Sequence, residues 1–243
     1  MISSPAIVAP ESTVPQVDHS SARRAFARAA GLFYILVLAF DIAGLAVTAS
    51  IEGSGGFAET ARNVAGAEGL YRIGLCLALL GSLSTIPLAI ALFAVVRPVD
   101  ANLAAMALVF RSAESAIGAV GIVGAFGVLE TYLAVGQSNG FAPDQLHALT
   151  VLNPLGASTQ IAAIFFSAGS TVFFYLFLKS HYIPRIVAGW GLAASVVYLA
   201  NWFVQLAAPG VPGLVGVIAS IPILIAEVST ALWLLIAGIR LQR

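Results

Sequence analysis

Four ionisable residues lie deep inside stretches of the chain that are otherwise apolar: Asp41, Arg111, Glu114 and Glu227. A charged side chain near a bilayer centre costs about 2.5–3.5 kcal/mol on insertion scales, so such residues usually pair, face a cavity or mark a pathway. Three carboxylates accompany one arginine here, which leaves at least one acid without an obvious cationic partner. Such an acid is expected to hold its proton at neutral pH, and it could carry protons or bind a cation or an amine.

Two interpretations of these charges are open. Arg111 and Glu114 are three residues apart and can pair within one helix, and Arg111 could also bridge to Glu227. Such pairs would fasten helices together, although a polar contact in a membrane bundle contributes only roughly 0.6–2 kcal/mol. The other interpretation is a functional site, because ionisable residues inside membrane segments are functional by default.

The composition indicates that lipid rather than water surrounds most of the chain. Of its 243 residues, 60% are hydrophobic and 9% are charged, whereas soluble domains carry about 25% charged residues. The formal net charge is zero, so no overall field favours nucleic acid as a partner. The lipid bilayer is therefore the expected partner, and a homo-oligomer or hetero-oligomer stays open.

Motifs for catalysis or cofactor binding are not found. A single cysteine and three scattered histidines make an internal disulfide impossible and a Cys/His metal site improbable. The sequence contains no phosphate loop, zinc motif or nucleophile elbow. We therefore expect no cofactor, no metal and no catalytic residue, and an intramembrane enzyme is the least favoured class of function.

Six apolar segments of membrane-spanning length predict an all-α, polytopic membrane protein whose six transmembrane helices form one bundle. The spans are expected in a domain over residues 23–243, at about 31–51, 69–96, 101–129, 158–178, 185–207 and 214–238. Residues 1–22 are polar and contain prolines, which predicts a disordered cytoplasmic tail. A secretory signal peptide is disfavoured because Asp41 would interrupt its apolar core.

The placement of lysine and arginine predicts the orientation in the membrane. With the N-terminus in the cytoplasm, most basic residues flank the spans on that side: Arg23, Arg24, Arg28, Arg97, Lys179, Arg185, Arg240 and Arg243. Positive charge collects on the cytoplasmic side of membrane proteins, so both termini should be cytoplasmic. We expect a multi-pass protein of a bacterial inner (plasma) membrane.

Polar stripes on five of the apolar segments predict one shared interior. Residues seven apart fall on nearly the same helix face, and lipid-facing positions should be apolar, so these stripes should point inward. Counted along the spans, the four buried charges lie at similar depth, roughly 15 Å from the cytoplasmic ends for the first two. The candidate ligand-binding residues are Asp41, Arg72, Arg111, Glu114, Glu227, Ser167, Thr171 and Asn201, with Arg72 at an outer entrance.

Short motifs follow one another along the chain after the tail. They are Ala30-Gly31-Leu32-Phe33-Tyr34, Glu68-Gly69-Leu70-Tyr71-Arg72-Ile73-Gly74, Arg97-Pro98-Val99-Asp100 with Phe110-Arg111, Ser180-His181-Tyr182-Ile183-Pro184-Arg185, and Glu227 with Leu232-Trp233-Leu234-Leu235. In these motifs the chain resembles the bacterial membrane family known as domain of unknown function 4386. The resemblance implies a six-helix bundle and no assigned activity.

The sequence supports two classes of function. The first is a protein that binds or transports a small solute at a polar midplane site, with coupling to protons as an option. The second is a non-catalytic accessory or scaffold subunit, in which the buried charges are structural ion pairs.

Overall fold

The computed structural model describes residues 19–135, 137, 141–153, 155–208, 210–211 and 213–240. The regular elements of this part of the chain are all helices: α1 (His19–Glu52), α2 (Phe57–Gly66), α3 (Glu68–Val96), α4 (Ala101–Leu133), α5 (Pro143–Val151), α6 (Ser158–Ser180), α7 (Arg185–Ala207) and α8 (Gly213–Ile236). Of the predicted tail, residues 1–18 lie outside the described residues, and α1 already begins at His19.

Six of the described helices are long and apolar enough to span a membrane, namely α1, α3, α4, α6, α7 and α8. The most apolar stretch of 18 residues in each of these helices has a mean hydropathy between 1.5 and 2.2. The predicted all-α class with six candidate membrane spans is therefore confirmed. Helix α1 starts earlier than the predicted first span, because alanine and arginine favour helix and extend it beyond the apolar segment.

The six long helices form a closed ring. Each packs against the previous and the next long helix in chain order, and α1 packs against α8 to complete the ring. The connections of the ring include the short turns from α3 to α4 and from α6 to α7. The two short helices pack on the ring from one end, because α2 contacts α1, α3 and α4, and α5 contacts α4.

Glycines let two pairs of helices approach closely. A Cβ atom at Gly31 of α1 would lie 2.7 Å from the carbonyl oxygen of Ala231 in α8. A Cβ atom at Gly44 of α1 would lie 2.8 Å from the carbonyl oxygen of Gly74 in α3. Small residues at such crossings let the backbones come together, which is the usual way in which membrane helices associate.

The main apolar core fills the half of the ring that contains the start of α1. Its buried side chains come from all six long helices and include Leu92, Phe173, Phe177 and Leu234. A smaller cluster around Tyr71 and Leu129 lies at the other end, where α2 is attached. The apolar core is densely packed in this half of the ring, and the cavities lie further along it.

Charges segregate between the two ends of the ring. We call the end that contains the start of α1 the basic end; its charged residues in the described part are Arg23, Arg24, Arg28, Arg97, Asp100, Lys179, Arg185 and Arg240. A hydrogen bond there, from Arg23 Nη1 to Tyr182 Oη at 3.2 Å, joins α1 to the connection between α6 and α7. The opposite, acidic end carries Glu52, Glu59, Arg62, Glu68, Arg72, Glu130 and Asp144.

Candidate functional site

Arg111 lies at the centre of a buried cluster of charges. Helix α4 begins at the N-cap Asp100, whose carboxylate accepts a hydrogen bond from the backbone N–H of Leu103, and it carries Arg111 into the ring. The Arg111 side chain is 2% exposed, and its Nη1 lies 3.1 Å from Glu114 Oε2 and 3.9 Å from Glu227 Oε1. One guanidinium thus serves two carboxylates on different helices.

Helix α6 forms the wall against which the Arg111 side chain packs. The guanidinium carbon lies 4.8 Å from the ring centre of Phe166, within the range of a cation–π contact. Arg111 Nη1 also donates a hydrogen bond to Ser170 Oγ at 3.5 Å. Gly169 makes room for the aliphatic stem, because a Cβ atom there would lie 3.0 Å from Arg111 Cγ.

The hydrogen-bonding capacity of this charge cluster is only partly used. Arg111 Nε, Glu114 Oε2 and Glu227 Oε1 are buried and have no hydrogen-bond partner among the described residues. The short Arg111–Glu114 distance therefore represents charge attraction without good hydrogen-bond geometry. Buried polar atoms normally find a partner, and leaving one unmatched costs about 1–3 kcal/mol. The cluster therefore has donors and acceptors to offer.

Asp41 is the acid that lacks a cationic partner. Within the described part of the chain, no lysine, arginine or histidine nitrogen lies within 4.0 Å of its carboxylate. The carboxylate packs directly on the backbone of α3 at Gly81, where a Cβ atom would collide with it. It is nevertheless within electrostatic range of Arg111, Glu114 and Glu227.

A small cavity of about 160 Å³ separates Asp41 from Glu114. Its polar lining is Asp41, Ser82, Thr85, Glu114 and Ser115, supplied by α1, α3 and α4. The Ser115 hydroxyl donates a hydrogen bond of 2.6 Å to the carbonyl oxygen of Ser82, which holds α4 on α3 beside the cavity. The arrangement gives two carboxylates and three hydroxyls around one small space.

A larger cavity of about 430 Å³ continues from this space. The two share Asp41, Ser82, Gly118 and Ala162 in their linings. The larger one extends between α1, α3, α4 and α6 to Gly74 near the start of α3, which is the direction of the acidic end. Two glycines of α4, Gly118 and Gly121, line it and keep it open.

Three further predicted site residues, Ser167, Thr171 and Asn201, lie outside the two cavities. Ser167 and Thr171 donate hydrogen bonds to carbonyl oxygens of their own helix, Ala163 O and Ser167 O. Asn201 in α7 is half-buried, and its Nδ2 lacks a hydrogen-bond partner in the described part of the chain. None of the three lines either of the two cavities.

Arg72 is separate from the charge cluster. Its Nε lies 2.8 Å from Glu68 Oε1, and its Nη2 lies 2.9 Å from Glu130 Oε1. This exposed group ties the start of α3 to the end of α4 at the acidic end. Arg72 does not line either cavity.

Sequence reasoning missed several residues around the cluster. Ser115 was hidden because serine is common in membrane helices, although it follows Glu114 directly. Phe166 and Ser170 lie within three residues of the predicted Ser167, yet only the three-dimensional packing shows that they contact Arg111. A polar triplet, Ser82, Ser84 and Thr85, was the one available signal on α3.

The described residues contain no group of three or more histidine, cysteine, aspartate or glutamate side chains placed to hold a metal ion. The six apolar helices, packed as a ring around a buried arginine, define a helical bundle of the multi-pass membrane class.

Residues 29–238 match the family model described as domain of unknown function (DUF4386), and the chain belongs to this family. The resemblance predicted from the short motifs is thereby confirmed. No curated protein matches the chain, and no solved structure does. The family fixes no activity, so the function has to be argued from the site.

Proposed function

We propose that this chain is a multi-pass protein of a bacterial inner membrane, with both termini in the cytoplasm, that binds or transports a small solute. The solute site is the pair of cavities beside Asp41 and Glu114. The observation that carries the proposal is that a space lined by two carboxylates adjoins the buried cluster of Arg111. The lysine and arginine residues at the basic end support the orientation.

The chemistry of the smaller cavity favours a cationic or hydrogen-bond-donating solute. Asp41 and Glu114 offer acceptor oxygens, and the Ser82 hydroxyl can accept or donate. The Thr85 hydroxyl donates to the carbonyl oxygen of Gly81 and can accept. A small ammonium group or a monovalent cation would supply the positive charge that Asp41 lacks. Anions are disfavoured, because the charged groups that line the smaller cavity are the two carboxylates and Arg111 lines neither cavity.

Coupling to protons is part of the proposal. An acid inside an apolar bundle without a cation is costly in its charged form. A proton and a cationic solute would therefore compete for Asp41, and the exchange would link solute binding to pH. Binding of a cation should release protons, and the affinity should rise as the pH of the medium rises.

The alternative is an accessory or scaffold subunit. It is favoured by a different observation, the way in which Arg111 joins α4 to α8 through Glu227 and packs on Phe166 of α6. In this case the charges fasten the ring and the cavities bind nothing.

A thermal-shift screen of the purified protein separates the two functions. The panel holds small amines, monovalent and divalent cations, neutral metabolites and carboxylates, each tested across pH. A ligand that binds only the folded protein stabilises it by mass action and so raises its unfolding temperature. At a free concentration about one hundred times the dissociation constant, the gain in the free energy of unfolding is about 2.7 kcal/mol. The expected result is a shift from a cationic or amine ligand that grows with pH.

Two glycines of α4 provide a matched pair of variants. Gly118→Val fills part of the cavity, since Gly118 lines both spaces and a Cβ atom there meets only Ser82 Oγ at 3.0 Å. Gly127→Val adds the same side chain to the same helix, where nothing lies within 4 Å of the Cβ position. Loss of the ligand shift in the first variant alone supports the solute site. No shift from any member of the panel, or equal shifts in both variants, favours the scaffold.

A further inference from the structure

A groove at the basic end of the bundle lies apart from the proposed solute site. It has a volume of about 690 Å³ and forms where the start of α1 meets the end of α3 and the start of α4. Two arginines, Arg23 and Arg97, line it together with the apolar side chains of Phe26, Phe93 and Ala94. The groove thus combines a cationic rim with an apolar floor.

The side chains of both arginines are positioned by contacts with aromatic residues. The guanidinium carbon of Arg97 lies 5.9 Å from the ring centre of Phe93, so the exposed side chain runs along the groove wall. Arg23 is half-buried and donates a hydrogen bond to the hydroxyl of Tyr182. The ring face of Phe93 stabilises the guanidinium of Arg97 without neutralising it.

The surroundings strengthen the positive potential. Asp100 is the acidic residue that the described part of the chain places at this end, and its carboxylate is engaged as the N-cap of α4 and lies 4.0 Å from Lys179 Nζ. Arg24, Arg28 and Arg185 add further exposed charge at the same end. An anionic group would therefore enter a favourable field.

The apolar floor identifies which anion fits. Phe26 is 43% exposed, and with Phe93 and Ala94 it lies next to the arginines, at the ends of apolar spans. In a membrane this is the depth at which headgroup phosphates meet hydrocarbon, where arginine and lysine side chains normally lie. Basic pockets between membrane helices recognise anionic headgroups by this combination.

We infer that the groove binds an anionic phospholipid from the leaflet at the basic end, with its phosphate at Arg97 and Arg23 and an acyl chain along Phe26 and Phe93. The site does not depend on the solute cavity, because the two have no lining residue in common. A negatively charged headgroup such as phosphatidylglycerol should be preferred over the zwitterionic phosphatidylcholine.

Native mass spectrometry of the delipidated protein in detergent tests this inference. Phosphatidylglycerol and phosphatidylcholine with identical acyl chains are titrated separately, and bound lipid is counted. Wild-type protein should bind phosphatidylglycerol more tightly. Each of Arg97→Gln and Arg23→Gln should weaken that binding roughly fivefold, since a basic residue near the membrane surface contributes about this factor. Binding of phosphatidylcholine should stay nearly unchanged.

Three controls make the result specific. Arg185→Gln removes an exposed arginine at the same end that does not line the groove, and it should leave the preference intact. Tyr182→Phe removes one hydrogen bond of Arg23 and leaves the arginine in the groove, so the preference should persist. Phe93→Ala should weaken binding of both lipids, because it shortens the apolar floor.

Several outcomes would overturn the inference. Equal affinity of the wild-type protein for the two lipids would do so, as would an equal loss in the Arg185→Gln and Arg97→Gln variants. If inorganic phosphate bound as tightly as phosphatidylglycerol, the groove would be an anion site to which the acyl chain contributes nothing.

Discussion

The guanidinium of Arg111 in α4 lies 3.9 Å from the carboxylate of Glu227 in α8, although the two helices stand on opposite sides of the ring. This contact spans the interior, because neither helix is a packing neighbour of the other. Glu114 shares the same guanidinium nitrogen at 3.1 Å. The arginine is therefore a tie across the bundle, and its removal should affect more than one helix pair.

Replacing Arg111 with methionine should be among the most damaging substitutions in the chain. It leaves Glu114 and Glu227 buried with no cation, and breaking a buried ion pair in this way costs about 3–5 kcal/mol. The measurement is the free energy of unfolding in detergent micelles. Arg72→Gln is the contrast, since the Arg72 side chain is 39% exposed and forms a surface ion pair, so its loss should be much milder.

A rescue variant distinguishes charge from shape at the same position. In the triple variant Arg111→Met, Glu114→Gln and Glu227→Gln, no uncompensated charge remains, so most of the lost stability should return. Persistent destabilisation would indicate that the packing of the arginine stem on Phe166 and Gly169 matters more than its charge.

Gly81 and Asp41 should be energetically coupled. Gly81→Ala places a methyl group where the Asp41 carboxylate packs, so the aspartate must move, at a cost of about 1–3 kcal/mol for overpacking. Asp41→Ala removes the clash, and the double variant should be more stable than the two single effects predict. A double-mutant cycle on the unfolding free energy measures this interaction. Simple additivity would contradict the contact.

Closure of the ring between α1 and α8 should depend on Gly31. Gly31→Ala forces a Cβ atom onto the backbone of α8 and should destabilise the fold by about 1–3 kcal/mol. Gly189→Ala in α7 is the matched control, because nothing lies within 4 Å of its Cβ position. Alanine is the better helix former, so the control should gain about 0.5–1 kcal/mol. Thermal unfolding of both variants tests the pair.

The proposed orientation predicts which end a membrane-impermeant maleimide can reach. Cys76 is the single cysteine and is exposed on α3, so Cys76→Ser gives a clean background. A cysteine introduced at the acidic end by Glu59→Cys should react with the maleimide in spheroplasts, whose outer envelope has been removed and whose inner membrane is intact. One introduced by Arg185→Cys should react only after permeabilisation. The reverse pattern would place the termini outside.

The fold could be predicted largely from the sequence, because apolar length is a strong signal. The spans over 69–96 and 185–207 agree closely with α3 and α7. Short connections also account for three neighbour relations, α3 with α4, α6 with α7 and α7 with α8, because they join helices that pack side by side. What the sequence did not contain was the closure of the ring by α1 and α8, since this depends on a backbone approach at Gly31 that no spacing reveals.

From the sequence, only the depth of the candidate site along the membrane spans could be predicted. Counting along the spans placed Asp41, Arg111, Glu114 and Glu227 in one layer, and the structure brings all four within electrostatic range. Seven-residue polar stripes were a weaker guide. Ser167 and Thr171 satisfy their hydroxyls on their own helix, so a polar face did not mean a polar site.

The closed ring also dictates an order of assembly during synthesis. Helix α1 emerges from the ribosome first, yet one of its two ring neighbours, α8, emerges last among the described helices. Until then Arg111 can pair with Glu114 but not with Glu227, and the face of α1 around Gly31 is uncovered. A chain stopped before α8 therefore leaves this face of α1 without its packing partner, and the ring cannot close until α8 has been synthesised.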